Sequence, residues 1–265
     1  MNEKLIKVDK KISDIIIKDK YLYAYYPEYF FPEIKPFINE KTIQKIIKNL
    51  PENFEENRKI GENDNHICYL IRNDLIDDFI SYVNLKNIEL SQTIQQSIFE
   101  TNPFLIENEP TLIEYAAFFG STQIFRYLYM NNVKLTPSLW IYSIHSQNPE
   151  LIHLLEENDV ELTFKIYEKC VQESIKCHHN DVTNYFQNII DINGEEEEKY
   201  YTDILETCLK YYNFNYIQYN DINHLLFNYL CRYDYYIPVS FLVESKKLNI
   251  NFKIIRTFKF YGISI

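Results

Sequence analysis

The sequence predicts an all-α chain, a solenoid of helix–turn–helix repeats behind a helical N-terminal cap. Three observations predict it. Apolar residues at i, i+3 and i+4 recur as Ile76-Phe79-Ile80, Ile124-Tyr127-Leu128, Leu151-Leu154-Leu155, Val182-Tyr185-Phe186 and Val239-Leu242-Val243, and each triplet draws one helical stripe. Each of the three central stripes follows a second short helical signal, so the unit is a helix, a tight turn and a helix. Successive stripes stand 48, 27 and 31 residues apart, the spacing of a stacked repeat array. A last gap of 57 residues leaves room for one degenerate repeat around 205–217.

Residues 1–60 show no repeat and read as the cap. Helices are expected over 12–26 and 41–50. Between them Pro27, Pro32 and Pro36 each remove a backbone donor and disfavour helix at the preceding residue. The polar stretch 52–65 is expected as loop, with the first repeat beginning near His66. Residues 61–265 then form a degenerate array, interrupted by an insertion over about 84–110, within which 91–98 is expected to add a short helix. A second break, acidic, falls at 193–199, where Gly194 precedes Glu195-Glu-Glu-Glu198 and favours a solvated connection or a helix start.

The central turns have fitting chemistry. Gly120 ends one helix in a left-handed conformation and Ser121 or Thr122 caps the next. Asn148-Pro149-Glu150 joins a capping side chain to a proline tolerated in the first turn and an acid favoured by the helix dipole. Beyond Tyr200 the chain is helix-compatible to about Lys246. Leu248-Asn-Ile-Asn-Phe252 alternates as a strand edge would, and Ile265 ends the chain without a capping pattern, as expected of a shortened array with an imperfect C-terminal cap.

Composition excludes several function classes. The net charge of -11 repels a phosphate backbone, and the pair Lys246-Lys247 is too small a basic patch to reverse that field, so no nucleic-acid partner is expected. No stretch of about 18 apolar residues occurs, and residues 1–11 lack the apolar core of a secretory signal. No membrane role and an intracellular, cytoplasmic residence are expected. The five cysteines, Cys68, Cys170, Cys177, Cys208 and Cys231, contain no Cys-x-x-Cys pair and are expected reduced and mostly buried. The 24 Tyr and 18 Phe accompany abundant Ile, Asn and Lys, which points to biased coding DNA and to rings that fill the core.

The window Thr111-Leu-Ile-Glu-Tyr-Ala-Ala-Phe-Phe-Gly120, followed by Ile124-Phe125, Tyr127-Leu128 and Asn132-Val133, resembles the ankyrin consensus Thr-Pro-Leu-His-x-Ala-Ala-x-x-Gly-His-x-x-Ile-Val-x-x-Leu-Leu, with its following Gly-Ala. The next repeat has Ser143-Ile144 for the paired alanines and Gln147 for the glycine; the third has Ser174-Ile175 and His178 there. Glu114 stands where the family has the histidine that ties adjacent turns, which argues against a regular hairpin finger. With Tyr26-Pro-Glu-Tyr-Phe-Phe-Pro-Glu-Ile-Lys-Pro-Phe37, Ile71-Arg-Asn-Asp74 and Asn148-Pro-Glu150, the first two-thirds of the chain is similar to a divergent ankyrin subfamily expanded in parasitic protists. That resemblance implies a scaffold for protein contacts without a catalytic role.

The resemblance also marks a candidate site. In ankyrin modules the two variable positions between the alanines and the glycine face the concave side, which here implies Phe118 and Phe119, then His145 and Ser146, then Lys176 and Cys177. Exposed aromatics at Phe118 and Phe119 would serve as binding anchors; the alternative is burial under a neighbouring helix or the cap. The sequence has no Gly-x-Ser-x-Gly, no phosphate-cradling Gly-x-x-x-x-Gly-Lys and no His-Glu-x-x-His.

Cys177-His178-His179, with Cys170 nearby, gathers potential ligands, but three adjacent residues do not easily aim at one ion, and the segment reads as an inter-helix turn. The expectation is a non-catalytic scaffold for a protein or peptide, with no cofactor, metal or catalytic residue. Two other readings stay open: a metal-dependent or thiol enzyme built on Cys177, His178 and His179, and a degenerate repeat copy without a partner.

Overall fold

The computed structural model describes residues 9–18, 26–189, 195–217 and 224–244. Their regular structure is entirely helical. The stretch 248–252, Gly194 and the C-terminal end lie outside the described residues. The chain divides into two compact units, residues 1–161 and 162–265.

In the N-terminal unit, α1 (Lys10–Lys18), α2 (Tyr26–Tyr29), α3 (Phe31–Ile34) and α4 (Glu40–Ile47) precede the repeats. Ile16, Phe31, Ile34 and Ile46 form their small core. Pro27, Pro32 and Pro36 sit within short helical turns instead of a helix-free linker, because proline is tolerated where the first N–H groups have no intrahelical acceptor. The stretch expected as loop over 52–65 contains α5 (Phe54–Ile60), closed by left-handed Gly61. Its polarity reflects exposure on one side, while Phe54 is buried.

The repeats follow as α6 (His66–Arg72) with α7 (Ile76–Lys86), α9 (Leu112–Phe119) with α10 (Thr122–Met130), and α11 (Leu139–Ser146) with α12 (Pro149–Glu157). The first helices pack side by side, α6 on α9 and α9 on α11, while α10 packs on α7. The triplet residues supply the interior: Phe79, Ile124, Leu128, Leu151 and Leu155 are fully buried, each contributing about 1.5–3 kcal/mol by leaving water.

Each inter-helix turn holds one residue in the left-handed region, Asp74 at φ 49°, Gly120 at 74° and Gln147 at 52°. The sequence alignment placed Gly120 and Gln147 at that position. Gly120 has a second reason to lack a side chain: a Cβ there would stand 3.2 Å from Cβ of Ser146 in the next repeat. The closely packed alanine position recurs as Ala116 and Ser143, both fully buried. The serine is tolerated because its hydroxyl donates back to the Leu139 carbonyl at 2.8 Å.

Between α7 and α9 lies the insertion. Its helix is α8 (Pro103–Asn108), not 91–98. Asn102 caps α8 through a hydrogen bond from the Phe104 N–H, and Pro103 opens it. Residues 91–98 are irregular instead, with an isolated bridge between Thr93 and Thr111 and a 2.7 Å bond from the Ile94 N–H to the Pro110 carbonyl. Long-range backbone partners there outcompete local helix.

The C-terminal unit contains α13 (Phe164–Lys176), α14 (Asn180–Ile189), α15 (Glu195–Lys210), a 3-10 turn (Phe214–Tyr216), α16 (His224–Arg232) and α17 (Tyr236–Glu244). Helix α13 packs on α14 and α15, and α16 on α15 and α17. The acidic break is in part a helix start, since Glu195 to Glu198 open α15, where the dipole favours acids. Left-handed residues recur at His178, Tyr212 and Asp234. Ser174, the third occupant of the small-residue position, is buried and accepts a hydrogen bond from Thr183 Oγ1 at 2.8 Å.

Asp74 links repeats directly, because its carboxylate accepts from the Ile124 N–H at 3.0 Å and the Gln123 N–H at 3.1 Å, capping a helix of the next repeat. Asp74→Gly removes the cap while keeping a residue at ease at positive φ. Urea denaturation of this variant is expected to show a loss of about 1 kcal/mol. Asp74→Ala should lose about 1–2 kcal/mol more through left-handed strain; equal stability of Asp74→Gly and wild type would count against the cap.

Candidate partner-binding surface

The row marked by the ankyrin resemblance falls just before the left-handed turn in each of three repeats, as its alignment requires. Its exposure differs from the expectation. Phe118 is buried, at 8% exposure, and Phe119 is half-buried. They meet with ring centroids 4.9 Å apart, and Phe119 also packs 4.8 Å from Tyr115. The exposed aromatic pair is therefore corrected: Phe118 belongs to the packed interior.

The cover over Phe118 is the insertion. Phe104, on α8, stacks 5.9 Å from Phe118, meets Tyr142 edge-on at 5.0 Å and lies 4.4 Å from the His145 ring. His145 itself stacks on Phe118 at 4.4 Å. Phe104, Phe118, Tyr142 and His145 thus make one aromatic cluster spanning α8, α9 and α11. The sequence signal for α8 is Asn102-Pro103, the same cap-and-proline pair that opens α12 at Asn148-Pro149.

The remaining row residues serve local structure. Ser146 Oγ donates to the Ser143 carbonyl at 2.9 Å and accepts from the Asn148 N–H at 3.2 Å, shaping the turn. In the C-terminal unit, Lys176 is held by Glu173 at 2.9 Å, and its ammonium lies over the Tyr211 ring. Cys177 is half-buried at the end of α13.

Glu114 ties its own helix start to the next helix pair. Its carboxylate accepts from the Thr111 N–H at 2.9 Å and hydroxyl at 2.8 Å, completing a capping box, and from Ser138 Oγ of the next repeat at 2.5 Å. A carboxylate accepts all three bonds, so adjacent repeats stay linked without a hairpin finger.

Cys177, His178 and His179 occupy an inter-helix turn. His178 is the left-handed residue, with Nε2 2.9 Å from the Tyr211 carbonyl. The His179 N–H closes the turn on the Ser174 carbonyl at 2.9 Å. Burial pushes the Cys177 thiol up to about 12, with Glu173 adding to the shift, so it is protonated near neutral pH, the opposite of an activated nucleophile. Burial likewise raises Cys68 and Cys208 to about 12 and Cys170 further. No described helix is long and apolar enough to cross a membrane.

No family model, curated protein or solved structure matches the chain.

Truncating Phe118 to Ala empties a packed aromatic site and is expected to cost about 3–5 kcal/mol in chemical denaturation, with a markedly smaller loss for half-buried Phe119→Ala. Equal losses would contradict the packing described. Thiol labelling of native protein at pH 8 should modify exposed Cys231 first. Cys68, Cys170 and Cys208 should react only after unfolding, which peptide mapping of early time points would test.

Proposed function

We propose that the chain is a non-catalytic, ankyrin-type scaffold that binds a protein or peptide across its row of first helices. The observation that carries this reading is the recurrence of helix pairs with a left-handed turn residue at Asp74, Gly120, Gln147 and His178, in register with the Thr111–Gly120 ankyrin-like window. Such repeats bury an apolar face only by stacking, and stacking creates a continuous surface without any special reactive group. The net charge of -11 favours a partner with a basic surface.

The aromatic cluster under α8 gives the scaffold a defined point of regulation. Phe104 covers Phe118 and His145 from within the chain, so a partner that uses these rings must displace α8 or add to its outer side. The thiol chemistry of Cys177 favours the scaffold over a thiol enzyme, since its proton is held by burial and by Glu173.

The test is affinity capture from native lysate with mass spectrometry, followed by direct titration of the recovered partner, comparing wild type with folded Phe104→Ser. Stronger binding by the variant is expected if the partner uses the covered rings. A partner bound equally by both places the contact elsewhere on the repeats, and repeated failure to recover any saturable partner would sink the scaffold reading.

A further inference from the structure

The insertion has a second consequence, on the side away from the Phe118 cluster. Its irregular segment and α8, together with Tyr29, Phe30 and Tyr115, enclose a cavity of about 370 Å³, within the range of about 300–1,000 Å³ typical of small-molecule sites. Its walls are largely hydrocarbon and aromatic, with Ile94, Ile98, Leu105, Ile106 and Pro110 completing them. Two carboxylates, Glu100 and Glu109, line it, and among the described residues no Lys, Arg or His does. The cations in contact with its lining are already engaged: Arg72 by Glu62 at 2.8 Å, the Asn63 carbonyl and the Tyr115 hydroxyl, and Arg58, which lies over the Tyr29 ring, by Glu33 at 2.5 Å.

The two acids are held in place by the loop. Glu100 accepts from the Asn102 N–H at 2.9 Å, and Glu109 from Gln96 Nε2 at 2.8 Å. Glu100 also accepts from the Asn63 and Thr101 backbone, so of the roughly four lone-pair positions of an ionised carboxylate about one stays open there, and more on Glu109. We infer that this cavity binds a small molecule with an apolar, ring-sized body and one basic nitrogen, the body filling the Ile106 side and the ammonium meeting Glu100. Burial raises the Glu100 pKa despite the nearby backbone donors and Arg72, as expected of an acid that a cationic ligand would relieve. The inference is independent of the scaffold reading, since the cavity needs no protein partner.

The test is calorimetric titration of the purified full-length chain with benzylamine, tryptamine and 1-naphthylmethylamine, against 1-naphthalenemethanol as neutral isostere and 1-naphthoate as anion. Saturable one-to-one binding of at least one amine is expected, with the naphthyl amine about tenfold tighter than its alcohol and no binding of the naphthoate. Glu100→Gln, which still accepts from Asn102, should bring the amine down to the affinity of the alcohol. Ile106→Trp should abolish binding of both by filling the cavity. Equal affinity of amine and alcohol for wild type overturns the charge recognition, and no amine binding overturns the site. Amine binding unchanged in folded Ile106→Trp would place the molecule elsewhere and overturn it as well. The wild-type amine-to-alcohol comparison stands even if a variant fails to fold.

Discussion

The structure depends on one local constraint, the tight left-handed turn between the two helices of each repeat and the hydrogen bonds it makes to its neighbour. A helix end leaves backbone groups without intrahelical partners, and short helices are marginal alone. Here the missing partners come from the adjacent repeat. Asp74 caps α10, Ser121 Oγ donates to the Ile71 carbonyl, and Asn148 Nδ2 reaches Thr122 Oγ1 at 3.0 Å. In the C-terminal unit, buried Asn213 donates to the Ile175 carbonyl at 3.0 Å and to Asn180 Oδ1 at 2.9 Å. The same short turn that reverses the chain therefore also sets the stacking register.

The left-handed position tolerates varied residues, and the reason differs at each. Gly120 lacks the side chain that would crowd Ser146. Asp74 uses a short polar side chain that accepts from the next repeat. His178 turns its ring to the Tyr211 carbonyl. At Asp74 and His178 a lateral bond thus offsets a strained conformation of about 1–2 kcal/mol. Glu114 follows the same logic at the other end of its helix, where one carboxylate links Thr111 and Ser138.

The insertion changes what the repeats present. By seating Phe104 on Phe118, Tyr142 and His145 it buries Phe118 and leaves His145 half-buried. On its other side it closes a cavity over Tyr115. A binding surface read from repeat alignment alone is therefore incomplete wherever a long connection folds back over the first helices.

Helical class, the positions of the central repeats and the buried stripes were legible from the sequence because they rest on periodicity and turn chemistry, both properties of neighbouring residues. The triplet Leu151-Leu154-Leu155 and the pair Asn148-Pro149 state a helix and its start in a few letters. Thr111 and Glu114 also carry a capping box in their spacing. Residues 91–98, by contrast, form no helix because their bonds go to Pro110 and Asn63, far along the chain. The burial of Phe118 and the cavity beside Glu100 likewise arise only when α8 reaches its place. By itself the sequence determined the helical class and the central helix pairs with their turns; the tertiary structure decided whether 52–65 and 91–98 are helical and which aromatic and acidic side chains remain accessible, because both depend on long-range packing.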